Sequence, residues 1–174
     1  MNKINELIRC IEIDPKCPYG SQHFSGIYKN GKLRYTGNNH LRNSYNNECV
    51  CFSTHAEMDV LHKVLKDHLI RSFKEFINLK SYTIVVVRIG RDGLIKNSRP
   101  CNQCLETMKK YQIKKVIYST DESFESQKPE NMNMCHTSSG WSAFITGRLF
   151  KNKNDLKENN EVPAKMDKVF KKTT

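Results

Sequence analysis

The segment YTIVVVRIGRDGLIKNSRPCNQCLETMKKYQIKKVIYS, Tyr82–Ser119, decides the fold. Tyr82 to Ile89 is a nearly continuous β-branched run, the pattern of a strand covered on both faces. Pro100 suits the first turn of a helix that carries Leu105 and Met108 inward, and Ile113 leads into a second strand at Lys115 to Ser119. Strand, helix and strand at this spacing predict a right-handed crossover between parallel neighbours.

Working outward, His55 to about Leu79 predicts a helix, with Ala56, Val60, Leu61, Val64, Leu65 and Leu69 on one apolar face and Lys and Asp opposite. Before it, His23 to Lys29 and Lys32 to Gly37 flank Asn30-Gly31, whose access to positive φ suits a two-residue hairpin turn. The Asn-rich stretch from Gly37 to Glu48 reads as a loop. Ile4, Leu7, Ile8 and Ile11 recur at helical spacing and face one core, ending at Asp14-Pro15. On the other side, Asp121 to Met134 is polar and interrupted by Pro129, which allows an irregular return strand but no helix. Trp141, Phe144, Ile145 and Leu149 suggest a short final helix, and Lys151 to Thr174 is a polar, basic tail. The expected organisation is one α/β domain over 1–150, with a mixed sheet of about five strands flanked by helices, and a tail over 151–174.

A chain of 174 residues suits one such domain. No window approaches the ~20 apolar residues of a membrane span, so the expectation is a soluble, unsecreted protein with no membrane partner. Seven cysteines without an export signal point to reduced thiols or metal ligands, hence to a cytoplasmic setting. The net charge of +11 suits nucleic acid, nucleotide phosphates or solubility. The sequence holds no Arg-rich run and no interleaving of aromatic with basic residues, and its Lys, Asn and Ile richness is what an A/T-biased coding sequence produces.

Two short pieces carry chemistry: THAE at Thr54–Glu57 and PCNQC at Pro100–Cys104, each opening a predicted helix. Thiols at i and i+3 on a first helical turn can face one point, and His55 would complete three protein ligands with Cys101 and Cys104. Three ligands and an open fourth position are the arrangement of a catalytic zinc, whereas a structural zinc is closed by four. Helix N-termini favour thiolate. Glu57, two residues after His55, is placed to act as general base and then acid. Taken singly, each piece has a plainer reading: Thr54-x-x-Glu57 is also a capping box, and Cys-x-x-Cys is also a redox pair. Cys10, Cys17, Cys49, Cys51 and Cys135 read as core thiols. His62 and His68 lie too far along their helix to join His55, and His136 stands where it could line a pocket mouth.

His-x-Glu followed by Pro-Cys-x-x-Cys resembles the signature of the cytidine and deoxycytidylate deaminase superfamily, and the resemblance spans about Phe24 to Ser119. It implies the three-layer cytidine deaminase-like fold and a Zn2+ cofactor held by His55, Cys101 and Cys104, with Glu57 as the catalytic proton carrier. It places Asn39, with Asn38 beside it, and Ala56 against the substrate. The implied activity is hydrolytic deamination of a cytosine nucleoside or nucleotide (cytidine, deoxycytidine or dCMP) to the uracil product with release of ammonia, by a homo-oligomer. Deamination of a base in tRNA or single-stranded nucleic acid, and a non-catalytic zinc domain that binds nucleic acid, are the alternatives. The lack of a helix in Asp121 to Met134 favours small substrates, and Arg99 beside the second motif would suit a phosphate.

Overall fold

The structure, a computed structural model, describes residues 3–13, 21–40, 44–46, 49–51, 53–71, 77–133 and 136–138, with the backbone alone at 44–46, 49–51 and 69–71. The elements among them are α1 (Lys3–Arg9), β1 (Ser21–Lys29), β2 (Lys32–Asn38), β3 (Ser44–Asn46), β4 (Cys49–Cys51), α2 (Ala56–Arg71), β5 (Tyr82–Gly90), β6 (Ile95–Lys96), α3 (Asn102–Lys110), β7 (Lys115–Ser119) and β8 (Phe124–Gln127), followed by a 3-10 turn at Pro129–Asn131. The expected helix around Trp141, the boundary at residue 150, Cys17 and Cys135 lie outside the described residues.

The main sheet runs β2-β1-β5-β7-β8, with β6 added as a short partner of β5. Pairing is antiparallel except between β5 and β7, where Thr83–Val86 run parallel to Lys115–Tyr118. This is the mixed sheet and the parallel crossover that Tyr82–Ser119 predicts. Asn30 and Gly31 both take positive φ, 51° and 80°, so the first hairpin closes with the twist its strands require.

Side-chain alternation sorts the sheet into two covered faces. Ile27, Ile84, Val86, Val116 and Tyr118 pack against Val60, Leu61 and Val64 of α2 and Leu105 and Met108 of α3. On the reverse face, Tyr28, Val85 and Val87 pack against Leu7 of α1, and the Tyr28 hydroxyl donates to the Lys3 carbonyl at 2.7 Å. β5 is therefore buried on both sides, which is why its sequence shows no polar alternation. The result is three layers, with α2 and α3 on one face and α1 on the other.

Several boundaries differ from the sequence reading, each for a physical reason. α1 stops at Arg9, so Ile11 packs from beyond the helix and Ile8 is left exposed instead of joining the apolar stripe. The Asn-rich stretch holds the short antiparallel pair β3 and β4, whose three-residue strands are too brief to show a period. α2 ends at Arg71, and Leu79 is buried from a loop, its N–H donating to the Tyr111 carbonyl. Pro100 precedes the helix, since Cys101 is the N-cap of α3. Cys10 is exposed rather than in the core. No helix among the described residues is long and apolar enough to cross a membrane.

Strand and helix approach closely at Gly37, in β2. A Cβ there would lie 2.8 Å from the Ala56 carbonyl oxygen and 2.9 Å from the Val60 nitrogen, both backbone atoms of α2. Neither can move without shifting the helix that begins beside His55. Gly37→Ala should destabilise the fold by roughly 1–3 kcal/mol, the range for overpacking a tight contact. Equilibrium denaturation would read this as a lower midpoint at constant slope, and an unmoved midpoint would contradict the contact.

Candidate functional site

The C-terminal ends of the parallel strands β5 and β7 carry the loop that delivers Cys101. Ser98 fixes that loop: its hydroxyl donates to the Val86 carbonyl at 2.9 Å and accepts the Ser119 N–H at 2.8 Å, while its own N–H donates to the Ser119 carbonyl at 2.8 Å. The Ser119 hydroxyl adds a bond to the Lys96 carbonyl at 2.7 Å. Both hydroxyls and both N–H groups of this buried pair are thereby bonded, as burial demands. From here the chain enters α3 with Cys101 at the cap and Cys104 in the first turn, both buried.

His55 arrives from a different direction. Thr54 and His40 exchange backbone hydrogen bonds of 2.9 and 3.1 Å, and the His55 carbonyl accepts the Asp59 N–H at 2.9 Å to open α2. His55 Nδ1 then stands 3.4 Å from the Sγ of Cys101 and 3.4 Å from that of Cys104. One donor atom from each of the three lies within 4.8 Å of the others. A tetrahedral zinc with ordinary bond lengths separates its nitrogen and sulfur ligands by roughly 3.6 Å. The donor set therefore fits a metal ion in both chemistry and spacing, and among the described residues no fourth donor joins these three.

The proton positions follow from burial. Cys101 is pulled down to about 4, first by the hydrogen bond that Cys104 donates to it and then by His55. His55 is raised to about 9, chiefly by its bond to Cys101, while Cys104, buried and beside a thiolate, is pushed well above the usual thiol range. Without an ion, then, the three donors share one negative sulfur and one imidazolium. Glu57 is 4% exposed, and burial raises its carboxyl above the usual range; a hydrogen bond from Cys104 opposes that rise.

Geometry answers the capping-box reading of the first motif. α2 begins at Ala56, and the Thr54 N–H that a capping box would offer Glu57 is taken by the His40 carbonyl. Cys101 and Cys104 are free thiols, both within reach of one histidine nitrogen.

Asn39 sits beyond the end of β2 in a reciprocal clamp with His23: its Oδ1 accepts the His23 N–H at 2.7 Å and its N–H donates to the His23 carbonyl at 3.0 Å. Asn38 donates its N–H to the Asp59 carboxylate at 3.3 Å, and Asp59 also holds Lys63 at 2.9 Å. Ala56 is fully buried, and its carbonyl accepts the Ser25 hydroxyl at 2.6 Å. Arg99 bonds two neighbouring groups. Its guanidinium bonds the Tyr118 hydroxyl and the Asn133 carbonyl, each at 3.2 Å, and lies over the Tyr118 ring. His136 accepts the Asn102 N–H on its carbonyl at 3.0 Å, against the first turn of α3. His68 pairs with the Tyr82 hydroxyl at 3.0 Å, and His62 is exposed.

His23, Ser98 and Asp59 drew no attention as sequence. Alternation along β1 puts His23 on the face of Ser25 and Ile27, toward α2, but only the pairing of β1 with β5 reveals that this face borders the three donors.

No protein-family model matches the chain, and no curated protein matches it. Among solved structures, the cytidine deaminase from Burkholderia pseudomallei aligns over 66% of this chain and 81% of its own, at 16% identity and a TM-score of 0.45. The cytidine deaminase from Mycobacterium leprae aligns over 63% and 78%, at 16% identity and a TM-score of 0.33. Likeness of this degree leaves the chemistry to be read from the side chains.

Two outcomes follow. Purified protein should hold one equivalent of zinc by elemental analysis, and Cys104→Ala should hold well under half of that; full retention would place the metal elsewhere. His23 titrates near 4, pushed down first by burial and then by Arg88, His55 and His136. An unfolded histidine takes its proton near 6.5, so between these values the unfolded chain binds more protons and stability falls as pH falls. Denaturation midpoints from pH 6.5 to 4 should drop more steeply for the native chain than for His23→Asn, and parallel curves would show that His23 is not buried neutral.

Proposed function

We propose that the protein is a zinc-dependent hydrolytic deaminase of the cytidine and deoxycytidylate deaminase type, converting a cytosine nucleoside or nucleotide to its uracil counterpart. One observation carries this reading. A buried carboxyl, Glu57, stands two residues from His55 on the first turn of α2, beside a donor set that stops at three among the described residues. A structural metal site gains nothing from a titratable group at an open position. A hydrolytic one requires it.

His55, Cys101 and Cys104 would hold the ion, which when bound supplies Lewis acidity that brings water near neutrality within reach of deprotonation. Glu57 does the proton work. Its raised pKa suits a group that must take a proton and return it near pH 7. It accepts a proton from the attacking water, whose oxygen bonds to the ring carbon bearing the exocyclic amine, and delivers it to the ring nitrogen. After a second transfer to the amine the carbon–nitrogen bond breaks and ammonia departs. Because His23 occupies the Asn39 carbonyl oxygen, Asn39 has its side-chain NH2 left to offer, a donor for a hydroxyl or carbonyl oxygen of the substrate. Ala56, with its carbonyl engaged by Ser25, can present its N–H, one of those a helix start leaves unpaired.

The direct test is ammonia release from cytidine, deoxycytidine, CMP and dCMP by the zinc-loaded protein. Glu57→Gln should lower kcat by at least about a hundredfold while zinc remains at one equivalent. Undiminished turnover by that variant would remove Glu57 from the reaction, and no turnover on any of the four would reject the proposed substrate class.

A further inference from the structure

Strand register gathers lysines at the end of the sheet opposite the three donors. Lys29, the last residue of β1, pairs with Lys32, the first of β2, and with Tyr82, the first of β5. Lys114 donates its N–H to the Tyr82 carbonyl at 3.0 Å, and Lys115 opens β7 opposite Thr83. Beyond β7, Gln127 closes β8 opposite Val116, which sets Lys128 level with Lys115. Lys80 stands two residues before β5. Each strand on the path β2-β1-β5-β7-β8 thus has a lysine in or beside this one end. Neighbouring strands lie about 4.8 Å apart, so the row crosses roughly 19 Å.

Lys32, Lys80, Lys114, Lys115 and Lys128 are exposed, and Lys29 is half-buried with its Nζ 5.3 Å from the centre of the Tyr82 ring. The ion pairs among the described residues, Asp59 with His40 and Lys63 and Asp92 with Lys96, involve none of the six. Glu130, two residues beyond Lys128, is the acidic residue nearest to the row in sequence, while Asp92, Asp121 and Glu122 stand in the turns at the opposite end. Protection of a sheet edge accounts for a lysine on β2 or β8. It does not account for those on β1, β5 and β7, which are flanked by strands on both sides. Lys109 and Lys110 belong to the last turn of α3, where the helix dipole accounts for them.

We infer that this row binds the phosphate backbone of a double-stranded nucleic acid, independently of its sequence and away from the three donors. Each strand of a duplex carries a phosphate about every 3.4 Å of axis, so ~19 Å of lysines meets on the order of five or six of them. Flexible lysine stems can follow that spacing without a fixed geometry, as contacts that position a backbone require. A single strand is the poorer fit. Proteins that hold single strands stack the bases on aromatic rings, whereas here Tyr82 is buried and Tyr111 is half-buried, with Lys110 Nζ 5.7 Å from its ring centre. A lipid surface fits less well, since interfacial binding joins cations to apolar anchors. The exposed large apolar side chains among the described residues, Ile8, Ile13 and Leu94, lie in and after α1 and between β5 and β6. Lys115 opens β7 and Ser119, which bonds Ser98 in the loop before Cys101, closes it. The row is therefore at the far end of that strand from the donors, and the inference stands apart from the reaction they perform.

The experiment is fluorescence anisotropy of a short labelled DNA duplex titrated with the full-length protein from about 50 to about 200 mM salt. Binding should weaken linearly with the logarithm of salt concentration. Lys32→Gln, Lys114→Gln, Lys115→Gln and Lys128→Gln together should weaken it at least about tenfold at the lowest salt and make the slope shallower by roughly 3 to 4, at about 0.9 per phosphate contact. All four sites are exposed, so the thermal midpoint should hold. Should it fall, Lys32→Gln with Lys128→Gln and Lys114→Gln with Lys115→Gln provide the same test as two pairs, each removing about half of the change in slope. No duplex binding at the lowest salt, or a slope that the substitutions leave unchanged, would overturn the surface. So would an equal loss on replacing Lys151, Lys153, Lys157 and Lys165 by Gln, which would reduce the effect to net charge. Tighter binding of the single strand, or of vesicles containing phosphatidylserine, lost with the same four lysines, would overturn the choice of partner. Displacement of the duplex by cytidine would put the nucleic acid at the donor cluster and overturn the placement.

Discussion

The parallel pairing of β5 with β7 is the constraint on which the site depends. Two parallel strands cannot be joined by a turn, so the chain must return across one face, and α3 is that return. Its first turn therefore lies over the C-terminal ends of both strands, where open sheets of this kind gather their ligands. Cys101 and Cys104 occupy that turn, and Ser98 locks the loop before it to Val86 and Ser119. β1, antiparallel to β5, contributes its N-terminal end to the same edge, and β2 brings Asn38 and Asn39 to it. Gly37 lets α2 sit close enough to β2 for His55 to meet the thiols. Six segments distant in sequence converge because one strand pair fixes where a helix must start.

Convergence of that kind concentrates charge, and the protons show how the fold bears it. Two thiolates and a carboxylate in one buried corner would repel each other without compensation. Cys101 is drawn toward thiolate opposite a His55 raised to about 9, while Cys104 is pushed well above the usual thiol range and burial raises Glu57. The corner is then close to neutral. A divalent cation would replace the His55 and Cys104 protons, since ligands must give up their protons to bind, and the two thiolates would match its charge. Glu57 would then be the titratable group left beside the three donors, with no proton of its own displaced by the ion. The same carboxyl that would be a stability cost in a purely structural site becomes the reason for the site's chemistry.

The sequence made the central features legible because they are local. The β5–α3–β7 unit could be read from one continuous segment, the first hairpin from Asn30-Gly31, and the donor residues from two motifs of four and five residues. Features that depend on pairing between remote strands could not be read. His23 looks like an ordinary strand residue until β1 is placed beside β5. The short strands β3, β4 and β6 have too few residues to show a period. The end of α2 was overestimated because Leu79 continues the apolar pattern in sequence while reaching the core from a loop. Pro100 shows a subtler limit: its fixed φ serves the approach to the helix as well as the first turn, and only the capping geometry of Cys101 separates the two.

The basic composition teaches the same lesson about charge. A net charge of +11 identifies no ligand, and adjacency to a motif does not tell which groups an arginine bonds. Arg99 touches the Cys-x-x-Cys motif in sequence, yet its guanidinium is spent on Tyr118 and the Asn133 carbonyl, where it ties the segment after the 3-10 turn to β7. Its Nε is buried without a partner among the described residues. Arg88 lies thirteen residues before Cys101 and carries no motif, but it lines a cavity and is oriented by Ser21. Both guanidiniums bond two neighbours, and which neighbours those are follows from the pairing of remote strands rather than from adjacency to a motif. In this fold the register of β1 against β5 therefore sets which side chains stand around Arg88, and a sum of charges does not.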